Sequence, residues 1–301
     1  MSTKSLGAEI FFYRKQLGWS QKELAAGICT QSAISRIESG EVYPSIDVLY
    51  YISLKLNVPL NHFLKVTFDE YSHYIHETVN YIETLNRKKR YEEVLQVTKK
   101  ELKQKVHVKN RWYSLFLKWN FYMSSFYMKK INHKECISYL KSLCLNNDAA
   151  SKRDLQEFRI KNVIANLYAE KGEYEESYKL YRELITNLDK VELTSDYDKN
   201  ILLIKILYNY AKTLYTDNHS IDAIKSIDRG IHLSIKYENV SFLGQLYYQK
   251  GLCLESIEAD YQSISNFYIN AFHTFKLLNR NDYIEIIIEK KHNYIKSVLS
   301  Y

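Results

Sequence analysis

Residues 165–178 read ANLYAEKGEYEESY, and this segment indicates the architecture of most of the chain. Small and large side chains alternate at helical spacing up to Gly172, and a second helical pattern follows at once. Related corners recur at intervals of 40 to 47 residues, at Tyr91, His133, Tyr174, Ile221 and Tyr261. A period of this length predicts stacked helix pairs, because one pair alone cannot bury its apolar face.

The composition favours a folded, all-α protein. The chain has 301 residues, of which 46% are hydrophobic and 26% charged, so it can bury a core. Only 2 prolines and 8 glycines are present, and both prolines, Pro44 and Pro59, lie in the first fifth. A β-sandwich or barrel needs frequent glycine and proline turns, so the sequence argues against those folds.

Several functional classes are disfavoured by what the sequence lacks. No apolar run reaches the ~18–20 residues that span a bilayer, and the first residues lack a secretory signal, so we expect a cytoplasmic protein without membrane contact. No P-loop, G-x-S-x-G or H-E-x-x-H pattern occurs, which predicts no catalytic site and no cofactor. The scattered cysteines predict buried thiols and no metal site, and a redox role for Cys136 or Cys144 stays open.

Two short helices joined by a tight turn are predicted between residues 20 and 40. Ser20 and Glu23 have the spacing of a capping box. Thr30 is placed to cap the second short helix, in which Ile34 faces inward. A third cap is expected at Ser45, before the next helix. The pair forms a helix-turn-helix, a motif that reads DNA.

This stretch resembles the Cro/repressor-type helix-turn-helix family through Gln21-x-Glu23-Leu24-Ala25, a four-residue turn and Thr30-Gln31-x-x-Ile34-x-x-x-Glu38-x-Gly40. By that resemblance the second helix lies in the DNA major groove. Gln21 would hold a phosphate. The other candidate DNA contacts are Thr30, Gln31, Ser32, Ser35 and Arg36. Gln and Arg suit this role because each can pair with a base edge through two hydrogen bonds.

The charge is distributed unevenly. The chain carries a net +7, yet residues 87–130 alone contain thirteen basic and three acidic side chains, whereas residues 67–86 contain four acids and no Lys or Arg. A basic block of this kind is usually a solvated helix face, but it also suits an acidic ligand.

The segment 165–178 resembles a tetratricopeptide (TPR) repeat, and the longer period makes the match degenerate. A stack of such pairs presents its first helices on a concave wall that fits an extended peptide. Asn162 and Asn209 lie 47 residues apart, which equals the spacing of their two repeats, and Gln245 begins the corresponding helix of the next unit. An amide can donate to and accept from a peptide backbone. The residues alone leave open whether these amides contact a ligand or bridge helices internally.

Nearly the whole chain resembles the PlcR-type regulators. The matching segments include Ser35-Arg36-Ile37-Glu38-Ser39-Gly40, Ile164-Ala165-Asn166 and Gly244-Gln245-Leu246-Tyr247-Tyr248-Gln249. The family couples a helix-turn-helix to a TPR domain that senses a secreted and re-imported signalling peptide. The resemblance implies peptide contacts at Asn162, Asn209, Gln245 and Tyr283, with positive charge from Arg87 and Lys89. Arg87 stands where the family leads us to expect Lys.

The predicted organisation is therefore a Cro/repressor-like helix-turn-helix bundle over residues 1–66, a linker helix over 67–86, and a degenerate TPR superhelix over 87–301 for peptide sensing and dimerisation. The resemblance implies a homodimer that binds a pseudo-palindromic double-stranded DNA operator. One alternative has the same architecture, but its TPR domain binds a protein partner rather than a peptide. The sequence does not distinguish activation from repression.

Overall fold

A computed structural model describes residues 6–104, 110–144, 155–191 and 196–299. Every regular element within these residues is a helix, which confirms the all-α prediction. Two compact units make up the chain, Met1–Arg90 and Tyr91–Tyr301. No helix in the described ranges has both the length and the apolar character needed to cross a membrane.

The first unit contains five helices. Their bounds are α1 Leu6–Gln16, α2 Gln21–Ala25, α3 Gln31–Glu38, α4 Ile46–Leu56 and α5 Leu60–Arg87. One hydrophobic core joins them, and Ile10, Leu24, Ile34, Ile52 and Phe63 are completely buried in it. The short helices α2 and α3 form the predicted helix-turn-helix.

Helix α2 is only five residues long, and polar groups hold both of its ends. The Ser20 hydroxyl accepts from the Glu23 backbone at 3.2 Å, while the Glu23 carboxylate accepts from the Ser20 backbone at 2.6 Å. At the other end the Lys55 ammonium donates to the carbonyls of Glu23 and Ala26, each at 2.6 Å. These bonds satisfy backbone groups that a short helix leaves unpaired.

Two expectations for the first unit change in detail. Ser45 occupies the position before α4, but its hydroxyl makes no cap bond to the helix backbone, so the predicted cap is wrong. The Ser45 side chain instead lowers the pKa of Asp47, together with nearby backbone N–H groups. Helix α5 runs unbroken from Leu60 to Arg87, so the last helix of the bundle and the predicted linker are one element.

The second unit is a series of helix pairs. Its helices are α6 Tyr91–Glu101, α7 Arg111–Tyr127, α8 His133–Leu143, α9 Leu155–Glu170, α10 Tyr174–Asp189, α11 Asp196–Thr216, α12 Ser220–Lys236, α13 Leu243–Ser256, α14 Tyr261–Leu277 and α15 Asn281–Leu299. From α8 onward the predicted corners mark the beginnings of the second helices of these pairs, and the corner at Tyr91 marks the beginning of α6. Four of the five corner residues are the first residue of a helix, and Ile221 is the second residue of α12.

Four of the first helices end in the same way. A residue with left-handed φ follows each of α7, α9, α11 and α13, namely Lys129, Gly172, Asn218 and Glu258. At the α11 corner the His219 N–H donates to the Leu214 carbonyl at 2.8 Å and the Asn218 N–H donates to the Tyr215 carbonyl at 3.1 Å. This is the Schellman pattern, and its repetition gives each pair the same sharp turn.

First helices of successive pairs also contact each other, α7 with α9, α9 with α11 and α11 with α13. In the described part of the unit, no two second helices make contact to this extent. The stack therefore curves with its first helices on the inside. We call the surface formed by α7, α9, α11, α13 and α15 the inner wall.

Candidate functional site

The recognition helix α3 has one apolar and one polar side. Ile34 and Ile37 lie in the core, at 0% and 4% exposure. The predicted DNA contacts lie on the other side, where Gln31, Ser32 and Arg36 are exposed and Ser35 is half-buried. The Arg36 side chain is 57% exposed and has only a long contact, 3.4 Å, with the Glu41 carboxylate. It is thus available for a ligand.

A buried ion pair fixes α3 against α1. The Arg14 guanidinium donates to the two Glu38 carboxylate oxygens at 2.6 and 2.7 Å and to the Trp19 carbonyl at 2.6 Å. Both side chains are less than 5% exposed, and the hydrogen bond that Arg14 donates to Glu38 raises the pKa of Arg14. A forked pair of this kind sets the orientation of both helices as well as their separation.

Two glutamines continue this network to the surface. The Gln21 amide donates to Glu38 at 2.9 Å, and the Gln31 amide donates to the Gln21 oxygen at 2.7 Å. Gln21 and Gln31 are thereby held together at the amino end of α3. The Thr30 hydroxyl accepts from the Ala33 backbone at 3.2 Å, so Thr30 caps the recognition helix as expected.

An open cleft of about 900 Å³ borders these glutamines. Beyond Gln21 and Gln31 its lining includes Phe11, Lys15 and Lys22. The sequence alone did not predict these three residues as part of the site, because their proximity to α3 depends on how α1 packs. Two lysines beside a helix-turn-helix suit the DNA phosphate backbone.

On the inner wall, Asn162 of α9 and Asn209 of α11 are hydrogen-bonded to each other. The Asn209 amide donates to the Asn162 oxygen at 3.2 Å. Asn162 is only 2% exposed, whereas Asn209 is half-buried. The pair therefore bridges two first helices internally, which was one of the two alternatives left open by the sequence. Contact with a ligand remains a prediction, and Asn209 is the more accessible of the two.

The other two inner-wall candidates, Gln245 and Tyr283, lie on α13 and α15. The buried Oε1 atom of Gln245 has no hydrogen-bond partner among the described residues. The half-buried Tyr283 stacks on Phe275, with ring centroids 4.6 Å apart. Desolvation, together with the phenols of Tyr283 and Tyr248, raises the pKa of Tyr208 to about 12. Tyr208 of α11 thus joins this group although the sequence analysis did not select it.

A register counted back from the left-handed corners finds two further amides. Asn209 precedes Asn218 by nine residues, and Gln249 precedes Glu258 and Asn120 precedes Lys129 by the same number. Gln249 and Asn120 are both nearly buried. Counted in the same way from Gly172, the equivalent residue of α9 is Val163, so the prediction that Asn162 and Asn209 occupy equivalent positions is wrong by one residue. The spacing of the second helices hid this register, because the lengths of the linking turns differ.

Arg87 and Lys89 belong to the first unit. Arg87 ends α5 and donates to the Thr84 hydroxyl at 3.1 Å. Lys89 is exposed and has a left-handed φ of 55°. Lys99, Lys100 and Lys103 of the basic block are exposed in the second unit, and residues 105–109 of that block lie outside the described residues.

The prediction of buried thiols holds for two of the four cysteines. Cys136 and Cys253 are buried, Cys29 and Cys144 are half-buried, and no disulfide joins any two of the four. Burial raises the pKa of Cys136 to about 12 and that of Cys253 to about 11. Within the described ranges no group of three His, Cys, Asp or Glu side chains is arranged to bind a metal.

Comparison with known proteins assigns the chain to a family. Residues 10–63 match a helix-turn-helix family, and residues 79–296 match the RNPP family C-terminal domain. The chain belongs to the RNPP family. The prediction of a PlcR-type regulator is confirmed by this match. A search of curated proteins found no match.

Solved structures of similar proteins show the same fold. The structure of Bacillus thuringiensis PlcR in complex with the peptide PapR7 and DNA is 32% identical, with 95% of this chain and all of that chain covered and a TM-score of 0.74. PlcR in its apo form is 30% identical over 96% of this chain and 99% of that one, with a TM-score of 0.65. ComR from S. thermophilus, at 19% identity, shares the fold with a TM-score of 0.61 and covers 96% and 99% of the two chains.

Proposed function

We propose that the chain is a sequence-specific DNA-binding transcription regulator whose activity is controlled by a short signalling peptide bound along the inner wall. The observation that carries this function is the end-to-end similarity, at 32% identity, to a protein captured with both a peptide and DNA. The protein-partner alternative is not favoured, because the similarity spans the peptide-sensing unit as well as the DNA-reading one.

On the DNA side, α3 would enter the major groove with Gln31, Ser32, Ser35 and Arg36 directed at base edges. The Arg14–Glu38 pair would hold α3, and through Gln21 it would position Gln31 before DNA arrives. Lys15 and Lys22 would neutralise phosphates at the edge of the cleft.

On the peptide side, Asn209 and Gln245 would pair with the backbone of an extended chain, and Tyr283 would contact a side chain. Arg87 and Lys89 would supply positive charge for an acidic residue or a carboxylate. Such recognition fits a cytoplasmic regulator that binds its peptide without altering it chemically. The peptide would be secreted and then re-imported.

Control of DNA binding would work through a homodimer. The helix-turn-helix units of the two protomers would bind half-sites of a pseudo-palindrome. The half-sites would lie about one helical turn (~34 Å) or a multiple of it apart. A peptide that favours one curvature of the stack would favour one spacing of the two helix-turn-helix units. The coupling free energy between peptide binding and DNA binding would be ~1–3 kcal/mol.

The test begins with selection of binding sites from random duplex DNA by the full-length protein. We expect an inverted repeat. Arg36→Ala should then weaken binding to the selected site by about 1–3 kcal/mol and relax preference at one base position in each half-site. The exposed Lys65 supplies a control, since Lys65→Ala removes a positive charge that belongs to α5 and not to α3. Selection of no common site, or equal losses for the two variants, would contradict base reading by α3.

Peptide candidates come from small exported precursors encoded beside the gene, with PapR7 as a first probe. A synthetic peptide that binds the full-length protein and changes its affinity for the selected DNA supports the proposal. Capture of a folded protein by the second unit, without any response to peptide, would support the rival function.

A further inference from the structure

Two glycines on α13 each receive an aromatic ring from α14. A Cβ atom at Gly244 would lie 2.7 Å from the ring of Phe275, and one at Gly251 would lie 2.6 Å from the ring of Tyr268. Both distances are shorter than any ordinary carbon contact, and both rings are almost completely buried. Each glycine is therefore a notch that only a residue without a side chain can form.

Both rings also contact tyrosine rings of α15. Phe275 stacks on Tyr283 with an angle of 11° between the ring planes, and the Tyr268 centroid lies 5.4 Å from that of Tyr294. The two glycines are seven residues apart on one helix face, as are the two rings on α14. The position of α13 is thus transmitted to both halves of α15.

Helix α15 is interrupted between those halves. Lys291 has non-helical dihedral angles, φ −129° and ψ 21°, although no proline or glycine is near. Its ammonium group bonds to the carboxylate of Glu255 on α13, which also accepts from the Tyr268 hydroxyl. Because Lys291 is only 14% exposed and Glu255 25%, the pair is shielded from solvent.

The backbone beyond the interruption is anchored to α14. The Tyr261 hydroxyl donates to the Asn293 carbonyl at 2.6 Å, and the Ser265 hydroxyl donates to the Tyr294 carbonyl at 2.5 Å. The segment before the interruption carries Tyr283, whose ring contact with α14 is Phe275. The buried Ile287 also holds this segment in the core, and Lys291 joins it to the anchored part of α15.

We propose that Gly244, Gly251, Glu255 and Lys291 are positioning residues, which place Tyr283 and Gln245 at one end of the peptide site. Gln245 directly follows the notch at Gly244, and Tyr283 stacks on the ring that fills this notch. None of the four needs to touch the peptide. The inference rests on the proposed peptide-sensing function, and its test has a readout that requires no peptide.

That readout is hydrogen exchange of the peptide-free, full-length protein. Lys291→Met removes the charge and keeps an unbranched stem. We expect amides of residues 281–290 to exchange at least fivefold faster, while those of α9 stay unchanged. Lys291→Arg should restore most of the protection, and Lys290→Met, at the exposed neighbour, should change nothing. Unchanged exchange in Lys291→Met would overturn the role of the ion pair.

Peptide affinity supplies the second readout, with the synthetic peptide found to bind the wild type as the probe. Lys291→Met and Gly244→Ala should each weaken it about tenfold, whereas DNA affinity without peptide stays within twofold of wild type. Gly244→Ala with Phe275→Leu should recover thermal stability but not peptide affinity, because the ring that supports Tyr283 is gone. Recovery of both would contradict the role of Phe275.

The two proposals fail differently. A wild-type protein that binds no peptide would contradict the proposed function. Hydrogen exchange would still report on the Lys291–Glu255 ion pair in that case. Normal peptide binding by Lys291→Met and Gly244→Ala, in a wild type that responds to peptide, would end only this inference.

Discussion

Asn209 donates its amide to the side-chain oxygen of Asn162, and this hydrogen bond of 3.2 Å joins α11 to α9 on the inner wall. The bond uses one of the two N–H donors of Asn209 and leaves its oxygen available. Because Asn162 is nearly buried, Asn209 is the member of the pair that a peptide can reach. Asn162 then serves to orient it.

Asn209→Ala should weaken peptide binding by about 1 kcal/mol, the usual net value of one hydrogen bond. Asn162→Ala should have a smaller effect on peptide affinity, since its side chain is only 2% exposed. A double-mutant cycle on the free energy of unfolding should show a coupling of about 0.5–3 kcal/mol between the two residues. Additive effects would show that the bond between them contributes nothing.

The ion pair behind the recognition helix supports a second prediction. Glu38→Ala leaves the Arg14 guanidinium buried without its carboxylate, which should lower the free energy of unfolding of the first unit by about 3–5 kcal/mol. Glu41→Ala is the matched control, because its exposed contact with Arg36 should be worth less than about 1 kcal/mol. Calorimetry of the full chain measures both. Similar losses for the two variants would mean that burial does not distinguish these carboxylates.

The helix corners predict a stabilising change. Lys129 takes a left-handed conformation that costs an L residue about 1–2 kcal/mol relative to glycine. Part of that gain is lost to the greater flexibility of glycine in the unfolded chain, so Lys129→Gly should raise the free energy of unfolding by about 0.5–1 kcal/mol. Gly172→Ala, at the equivalent corner, should lower it. Thermal unfolding of both variants measures the difference, and a loss in Lys129→Gly would show that the lysine stem stabilises the corner.

Thiol chemistry provides a pH-based prediction. The pKa values of Cys136 and Cys253 are raised to about 12 and about 11, so both thiols stay protonated at pH 8, and only a thiolate reacts with iodoacetamide. Mass spectrometry should find both unlabelled in the native protein and labelled in denaturant, while the half-buried Cys29 reacts sooner. Rapid native labelling of Cys136 would reopen a redox role.

Local signals were enough to predict the helix-turn-helix and the corners of the helix pairs. The caps at Ser20 and Thr30 and the corners at Tyr91, Tyr174 and Tyr261 were readable because each depends on residues close in sequence. Burial of Ile34 followed from helical spacing in the same way.

Features that depend on distant packing were not readable. The Asn162–Asn209 bond requires the contact between α9 and α11, and the interruption at Lys291 requires Glu255 on another helix. Ser45 had the right residue type for a cap, yet its hydroxyl makes no bond to the helix backbone. The amide register of Asn120 and Gln249 appeared only when the left-handed corners were known.

The most direct test is the affinity of the full-length protein for its selected operator, measured by fluorescence anisotropy with and without saturating peptide. A coupling of ~1–3 kcal/mol predicts a change of about 5–150-fold for the wild type. Asn209→Ala should need more peptide to reach the same change. Equal operator affinities with and without saturating peptide would contradict the account.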